Sequence, residues 1–312
     1  MELGGLATYG VFFLTQAGIY AVLALGLNVQ YGLTGQINIG IAGFFAVGAY
    51  TSAILTTATS TAHLGGFDLP FLVGIAGAMA TSAVVAVGIG WVTMRLRSDY
   101  LAIATIGIAE IIRIVFKNED WLTNGVRGVP GIPRPFVETL GANPLVSLGV
   151  VTAFVLLAYW LVEQARRSPW GRVLRAIREN EDGVMAAGKN VARFRLQAFV
   201  FGSSLMGMAG GLYAHFIGFI SPEAFMPLYG TFLVWVMLIA GGAGNNRGAV
   251  LGAFAIWMLW SATQFLTDAL GAEYATQAGA LRVLLIGVLL QVILIARPQG
   301  ILPEHARRKG RG

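Results

Sequence analysis

Glu110 and Arg113 are the ionisable pair whose setting gives them chemistry. They stand three residues apart in an otherwise apolar run, on one face of a helix and within ion-pair reach of each other. Ionisable groups in such a run turn toward a bundle interior or an aqueous route and pair there, so they either brace neighbouring helices or line a path for a polar solute. Gln36 and Asn38 form a second polar group. They lie in Tyr31-Gly32-Leu33-Thr34-Gly35-Gln36-Ile37-Asn38-Ile39-Gly40, a glycine-rich, uncharged stretch between two apolar runs. Irregular backbone at membrane depth is tolerated only where protein or a water-filled cavity satisfies it. This stretch is therefore either a broken element lining a route or a tight loop. Asn28, Thr105, Ser203 and Ser204 add polar groups, with no spacing that demands a reaction.

Reactive constellations are missing. The sequence has no phosphate-cradling Gly-x4-Gly-Lys-Ser/Thr loop, no His-Glu-x2-His, and no nucleophile with a base and an orienting acid. It has no cysteine, and its three histidines, His63, His215 and His305, are too dispersed for a metal site. His215, near a helix end, reads as an interfacial residue. No catalytic residue, metal ligand or cofactor is expected in this chain, and energy for uphill work must come from an ion gradient or another subunit.

The elements that position these residues follow from where charge is absent. Of 312 residues 56% are hydrophobic and 12% charged, with a mean hydropathy of +0.71. Typical soluble domains carry about 25% charged residues, so an ordinary soluble enzyme is excluded. The 65 residues between Glu2 and Asp68 hold no Asp, Glu, Lys or Arg, and further such runs cover 69–94, 139–162, 196–222, 224–246 and 248–267. About 20 apolar residues cross a bilayer, so the first run holds two spans and each other run one. Two further runs, 278–296 with Arg282 and 100–116 with Glu110 and Arg113, raise the total to eight or nine. The expected fold is all-α: a polytopic integral membrane protein, one domain over 1–312, with helices near 6–29, 37–59, 69–94, 100–116, 144–162, 194–217, 228–243, 248–267 and 278–296.

Cytoplasmic loops retain Lys and Arg. With nine spans and the N-terminus outside, alternate loops and the C-terminal tail collect 16 of the 21 basic residues: Arg95, Arg97, eight between Arg166 and Arg195, Arg247, and Arg297, Arg307, Arg308, Lys309 and Arg311. Arg127 and Arg134 fall opposite, with the acidic Asp68, Glu119, Asp120, Glu138, Glu223, Asp268 and Glu273. The pattern explains a net charge of +6 without nucleic acid. The opening residues lack the basic region and cleavage site of a signal peptide and read as a retained first helix. Rows of small residues, Ser203, Gly207 and Gly211, then Gly244, Gly248 and Gly252, should face protein, either as fixed packing or as faces along which helices slide.

Residues 163–195 form the longest charged stretch. Ser168 can cap a helix that begins at Pro169, and Trp170, Val173, Leu174 and Ile177 recur at helical spacing as one apolar stripe. Arg172, Arg175 and Arg178 lie off it; Glu179, Glu181 and Asp182 follow, and Gly188 can end the segment. Two short helices, about 169–179 and 182–187, are predicted. Such an element could lie on anionic lipid, while its mix of apolar, basic and acidic residues suits a groove on a partner protein.

With these residues in view, the chain resembles the Liv-type membrane permeases of branched-chain amino acid ABC transporters, in particular the M-type subunit. The resemblance rests on Tyr31-Gly32-Leu33-Thr34-Gly35 leading into Ala42-Gly43-Phe44-Phe45-Ala46, on Ser98-Asp99-Tyr100-Leu101-Ala102, on Glu110-Ile111-Ile112-Arg113 and on Leu122-Thr123-Asn124-Gly125. It continues through Ser168-Pro169-Trp170-Gly171-Arg172, Arg175-Ala176-Ile177-Arg178-Glu179-Asn180-Glu181, Gly210-Gly211-Leu212-Tyr213-Ala214, Ile220-Ser221-Pro222 and Gly241-Gly242-Ala243-Gly244.

The resemblance implies an ABC-importer permease fold in the bacterial inner membrane, without an ATPase site of its own. Its implied partners are a homologous second permease, two ATP-binding cassette subunits that use ATP and Mg, and a periplasmic substrate-binding protein. Residues around 168–190 would couple to an ATPase through Trp170, Arg172, Val173, Leu174, Arg175, Ile177, Arg178, Glu181 and Gly188. Importers often carry Glu-Ala-Ala-x3-Gly there; ending at Gly188, this chain has Asp182, Gly183 and Val184 in the first three places. Gln36, Asn38, Glu110 and Arg113 are the candidates near the substrate pathway. The substrate class implied is a branched-chain or other hydrophobic amino acid. Urea or short amides, and a gradient-driven carrier or channel with Glu110 as its relay, are the alternatives.

Overall fold

A computed structural model of the protein describes residues 4–60, 63–93, 98–137, 141, 143–268, 275–297 and 299–304. Arg95, Arg97, Glu138, Glu273, His305, Arg307, Arg308, Lys309 and Arg311 lie outside the described residues, as do the side chains of Asp268 and Arg282.

Helices occupy each of the nine predicted spans. They are α1 (Gly5–Leu27), α2 (Ile41–Thr56), α3 (Phe71–Thr93), α4 (Ser98–Asn118), the single turn α5 (Asp120–Thr123) and α6 (Pro144–Arg167). Next come α7 (Pro169–Glu179), α8 (Glu181–Ala186), α9 (Val191–Ile217), α10 (Leu233–Gly241), α11 (Asn246–Asp268) and α12 (Ala275–Ala296). Three long apolar helices, α3, α6 and α9, together with Ala7–Gly32, are long and apolar enough to cross a membrane. Two further apolar helices, Ile41–Thr56 and Leu228–Gly241, are shorter.

The differences from the predicted bounds have local causes. The second span begins at Ile41 rather than 37 because Gly35 turns the chain at φ +73° and the Asn38 side chain accepts from Gly40 N. The seventh opens as a π-turn, Leu228–Phe232, and stops where Gly242 takes φ +117°. Glu163, Arg166 and Arg167 extend α6 past 162 by pairing across its last turn. Asn190 starts α9 early by accepting from Arg193 N at 3.0 Å.

Helix α1 is the central post. From Ala17 to Leu27 its apolar residues are buried on every side, as a helix that is hydrophobic all round must be. Helices α6, α9 and α11 surround it, and α9 also packs on α2 and α3. Both rows of small residues face protein. A Cβ on Gly48 would overlap the Gly207 backbone, one on Gly210 the Phe45 carbonyl, and one on Gly248 or Gly252 the chain at Gly241. These helices meet backbone to backbone.

Loops segregate to two ends. At one, Arg178 meets Gly32 and Glu304, and Leu302 N donates to Gly241 O at 2.9 Å. The basic stretch 166–195 gathers at this end. At the other, β1 (Val129–Pro130) pairs antiparallel with β2 (Phe219–Ile220), and Lys117 meets Glu223 at 3.2 Å. His215 is not interfacial: it is buried near this second end, Nδ1 donating to Pro133 O at 2.7 Å and Nε2 2.9 Å from Ser52 Oγ. Among the described residues no group of three His, Cys, Asp or Glu could hold a metal.

Candidate functional site

The stretch Gly35–Gly40 is non-helical yet lies inside the protein, which favours the broken element over the tight loop. Its polar groups are met by neighbours, as irregular backbone at this depth requires. Asn38 Nδ2 donates to Gln30 Oε1 at 2.8 Å, and Gln30 Nε2 donates to Phe199 O at 2.8 Å and Ser203 Oγ at 3.1 Å. Trp235 Nε1 donates to Asn38 O at 2.9 Å, and Ile39 N to Thr105 Oγ1 at 3.0 Å.

Extended chain alternates its side chains between two sides. Gln36, Asn38 and Gly40 turn inward and are buried, so Ile37 and Ile39 turn the other way. They line an open cavity of about 400 Å3 with Ile106 of α4, Thr231, Phe232 and Trp235. Gln36 and Asn38, predicted as pathway residues, therefore stand behind the wall. The two isoleucines between them form it. The period-two alternation of polar and apolar residues over 36–40 was the signal for this, masked because a helix was expected from 37.

Glu110 follows Ile106 by one helical turn, a rise of about 6 Å. Arg113 grips it with Nε to Oε2 at 3.0 Å and Nη2 to Oε1 at 2.5 Å. Arg113 also lies 3.7 Å from Glu223, which Lys117 meets in turn. An apolar cavity and a ladder of two acids and two bases thus run along one side of α4. The arrangement can receive a small solute with opposite charges at one end and an apolar body at the other.

At the basic end, α7 and α8 fall where the sequence put them. Ser168 Oγ accepts from Gly171 N at 3.2 Å, and Asn180 Oδ1 accepts from Gly183 N at 2.9 Å to cap the second helix. The apolar stripe of α7 is not presented outward as a docking face. Leu174 and Ile177 are buried in the chain's own core, and Trp170 packs edge-on against Phe201 while its Nε1 donates to Gln197 at 2.9 Å. Val173 and Arg175 are half-buried. Arg195 clasps Glu181 at 2.7 Å, and Arg178 donates to Gly32 O and Glu304. What remains exposed on α7 and beyond it is Arg172, Glu179, Asn180, Asp182, Gly183 and the stretch 185–190, including Met185 and Gly188.

Glu163 is a residue the sequence did not single out. It accepts from Arg166, Arg167 and Asn246, and Asn246 Oδ1 in turn accepts from Asn28 Nδ2 at 2.8 Å. Asn28 Oδ1 then accepts from Gly244 N at 2.8 Å. This chain ties α6 to α1 and to the α10–α11 turn. Only the fold brings its members together.

Residues 9–294 match the family model described as the permease component of branched-chain amino acid transport systems. The chain is 32% identical over 309 residues to the high-affinity branched-chain amino acid transport system permease protein LivM of Escherichia coli K12, covering 91% of this chain and 68% of that protein. It is 29% identical to the probable branched-chain amino acid transport permease protein LivM of Methanocaldococcus jannaschii, over 92% and 91% of the two chains. To the LivH permease protein of Escherichia coli K12 it is 27% identical, over 92% of each. No solved structure matches the chain significantly.

Proposed function

The chain belongs to the family of permease components of branched-chain amino acid transport systems, and from that premise we propose that it carries branched-chain or other hydrophobic amino acids across the bacterial inner membrane as one permease subunit of an ATP-driven importer. The observation that carries this reading is the cavity of about 400 Å3 one turn along α4 from the Glu110–Arg113 pair. An amino acid zwitterion has the matching form. Its ammonium is attracted to Glu110, its carboxylate to Arg113, and its aliphatic chain to Ile37, Ile39, Ile106 and Trp235. Gln36 and Asn38 hold the wall in place.

In this reading the basic end is cytoplasmic, with the N-terminus periplasmic and the C-terminus cytoplasmic, in keeping with the excess of Lys and Arg that cytoplasmic loops carry. The exposed residues Arg172 and 185–190 dock on one of two ATP-binding cassette subunits, which use ATP and Mg. Trp170, Leu174 and Ile177 seat the segment, and Arg178 and Glu181 tie it to the rest of the chain. A homologous second permease and a periplasmic substrate-binding protein complete the assembly. ATP binding moves the coupling segment and opens the pathway outward; hydrolysis resets it.

Reconstitution tests this. Proteoliposomes holding the purified complex should accumulate radiolabelled leucine only with ATP inside and the binding protein outside. Uptake that persists without ATPase subunits and follows a proton or sodium gradient would overturn the reading.

A further inference from the structure

The basic end holds a second cavity, apart from the apolar one beside α4. Tyr159, Glu163, Arg166 and Arg167 of α6 face the α10–α11 turn, Arg247 of α11 and Glu304 around an open space of about 250 Å3. At about 30 Å3 per water molecule, this is room for several waters or for a phosphodiester group.

Its charge is unbalanced. Glu163 is held by Arg166 at 2.6 Å and by Arg167 at 2.7 Å, and Glu304 by Arg178 at 2.7 Å. Arg247 is exposed, and among the described residues its guanidinium has no acidic partner. Two carboxylates thus stand among four guanidinium groups, an excess of two positive charges. Arg167 is 69% uncovered and gives Glu163 only its Nε–H, which leaves its outer N–H groups free for another acceptor. Guanidinium forks match phosphate oxygens in geometry as well as charge.

The surroundings indicate which anion. Leu156, Trp160, Glu163 and Arg167 recur on one face of α6, so an exposed apolar line, Leu156 and Trp160, runs directly into the cavity. On α11 the exposed Leu251 and Met258 form a second apolar line on the face of Arg247. Trp160 stands about 10 Å along α6 from Arg167, the arrangement of an indole at the level where hydrocarbon gives way to headgroups. A free anion needs only the charged cavity. The apolar lines that lead out of it suit acyl chains.

We propose that this cavity binds the phosphate of an anionic phospholipid, held by Arg167 and Arg247, with its acyl chains along Leu156 and Trp160 of α6 and Leu251 and Met258 of α11. The lipid joins α6 to α11 at the end from which α7 departs. The site requires that α6 and α11 cross a membrane, whatever solute the chain carries.

The complete complex in detergent, mixed with micelles of phosphatidylglycerol and phosphatidylcholine, tests this by native mass spectrometry of the lipid retained. The wild type should keep phosphatidylglycerol in preference. Arg167→Gln and Arg247→Gln should each lower that retention several-fold, and the double variant should abolish the preference. Arg193→Gln removes an exposed charge from the same end but outside the cavity and should leave retention unchanged. Equal loss in all three single variants would mean a diffuse basic surface and overturn the site, as would unchanged retention in the double variant. Photoactivatable phosphatidylglycerol needs no variant: on the wild-type complex its adducts should map to peptides covering 156–167 and 247–258, and adducts on other helices alone would overturn the proposal. Inorganic phosphate that stabilises the delipidated complex as well as phosphatidylglycerol does would assign the cavity to a free anion instead. Loss of ATPase subunits from the Arg247→Gln complex with its lipid count unchanged would assign that arginine to a protein contact.

Discussion

Arg178 and Glu304 are joined at 2.7 Å although 126 residues separate them, and the same guanidinium donates to the carbonyl of Gly32. One side chain on α7 thus touches both the stretch 299–304 and the π-turn Asn28–Gly32 that leads into the cavity wall. A planar guanidinium can direct separate N–H groups at two acceptors in fixed geometry; an ammonium cannot hold the same fork. Arg178→Ala, and to a lesser degree Arg178→Lys, should lower substrate-stimulated ATP hydrolysis several-fold while the complex still assembles. Unchanged stimulation in reconstituted complex would rule out this contact as a transmission route.

Trp170→Ala removes both the ring packing on Phe201 and the hydrogen bond to Gln197. The expected result is a looser α7 and weaker coupling. Arg172→Glu, by contrast, changes an exposed charge and should weaken ATPase association without loosening the helix. Proteolysis at 163–195 separates the two: faster cleavage is expected for the tryptophan variant only.

Ser168→Ala deletes the cap of α7. Loss of such a cap costs about 1 kcal/mol. The thermal midpoint of the complex should fall slightly, and amide exchange in 170–172 should rise while the rest of the chain is unaffected.

Glu110→Gln discriminates between a brace and a pathway group. If Glu110 meets the substrate ammonium, uptake falls at least tenfold with assembly intact; if its work is bracing Arg113, the yield of intact complex falls instead. Trp235→Ala enlarges the cavity and frees Asn38 O. It should shift the preference among leucine, isoleucine and phenylalanine toward the larger side chain, read in competition uptake assays.

Gly48→Leu places a side chain into the Gly207 backbone and should abolish stable membrane accumulation. Gly88→Leu, where a Cβ meets nothing within 4 Å, should accumulate normally. Immunoblotting of membrane fractions checks both.

The spans were legible because the bilayer imposes one rule, a long apolar run, and charge marks its ends. The cap of α7 was legible because Ser168 acts within three residues of itself; Asn180, which caps α8 just as locally, was not singled out. The wall of the cavity was not. Whether Asn38 or Ile39 faces the open side depends on bonds to Gln30, Thr105 and Trp235, which the sequence keeps far apart. The α7 stripe shows the same limit from the other direction: its periodicity marks an apolar face but carries no information on whether Leu174 meets this chain or another.

The glycine seam between α2 and α9 limits how the protein can change shape. With Gly48 against Gly207 and Gly210 against Phe45, no layer of side chains separates the two backbones to repack or slip. A slide would drive a neighbouring side chain into backbone at this seam, so the pair is expected to travel as one block. The bending is left to places where the helical ladder is already interrupted, the π-turns Asn28–Gly32 and Leu228–Phe232. One follows the central post and carries the carbonyl that Arg178 holds; the other borders the cavity. A gate built this way has two hinges and one rigid leaf.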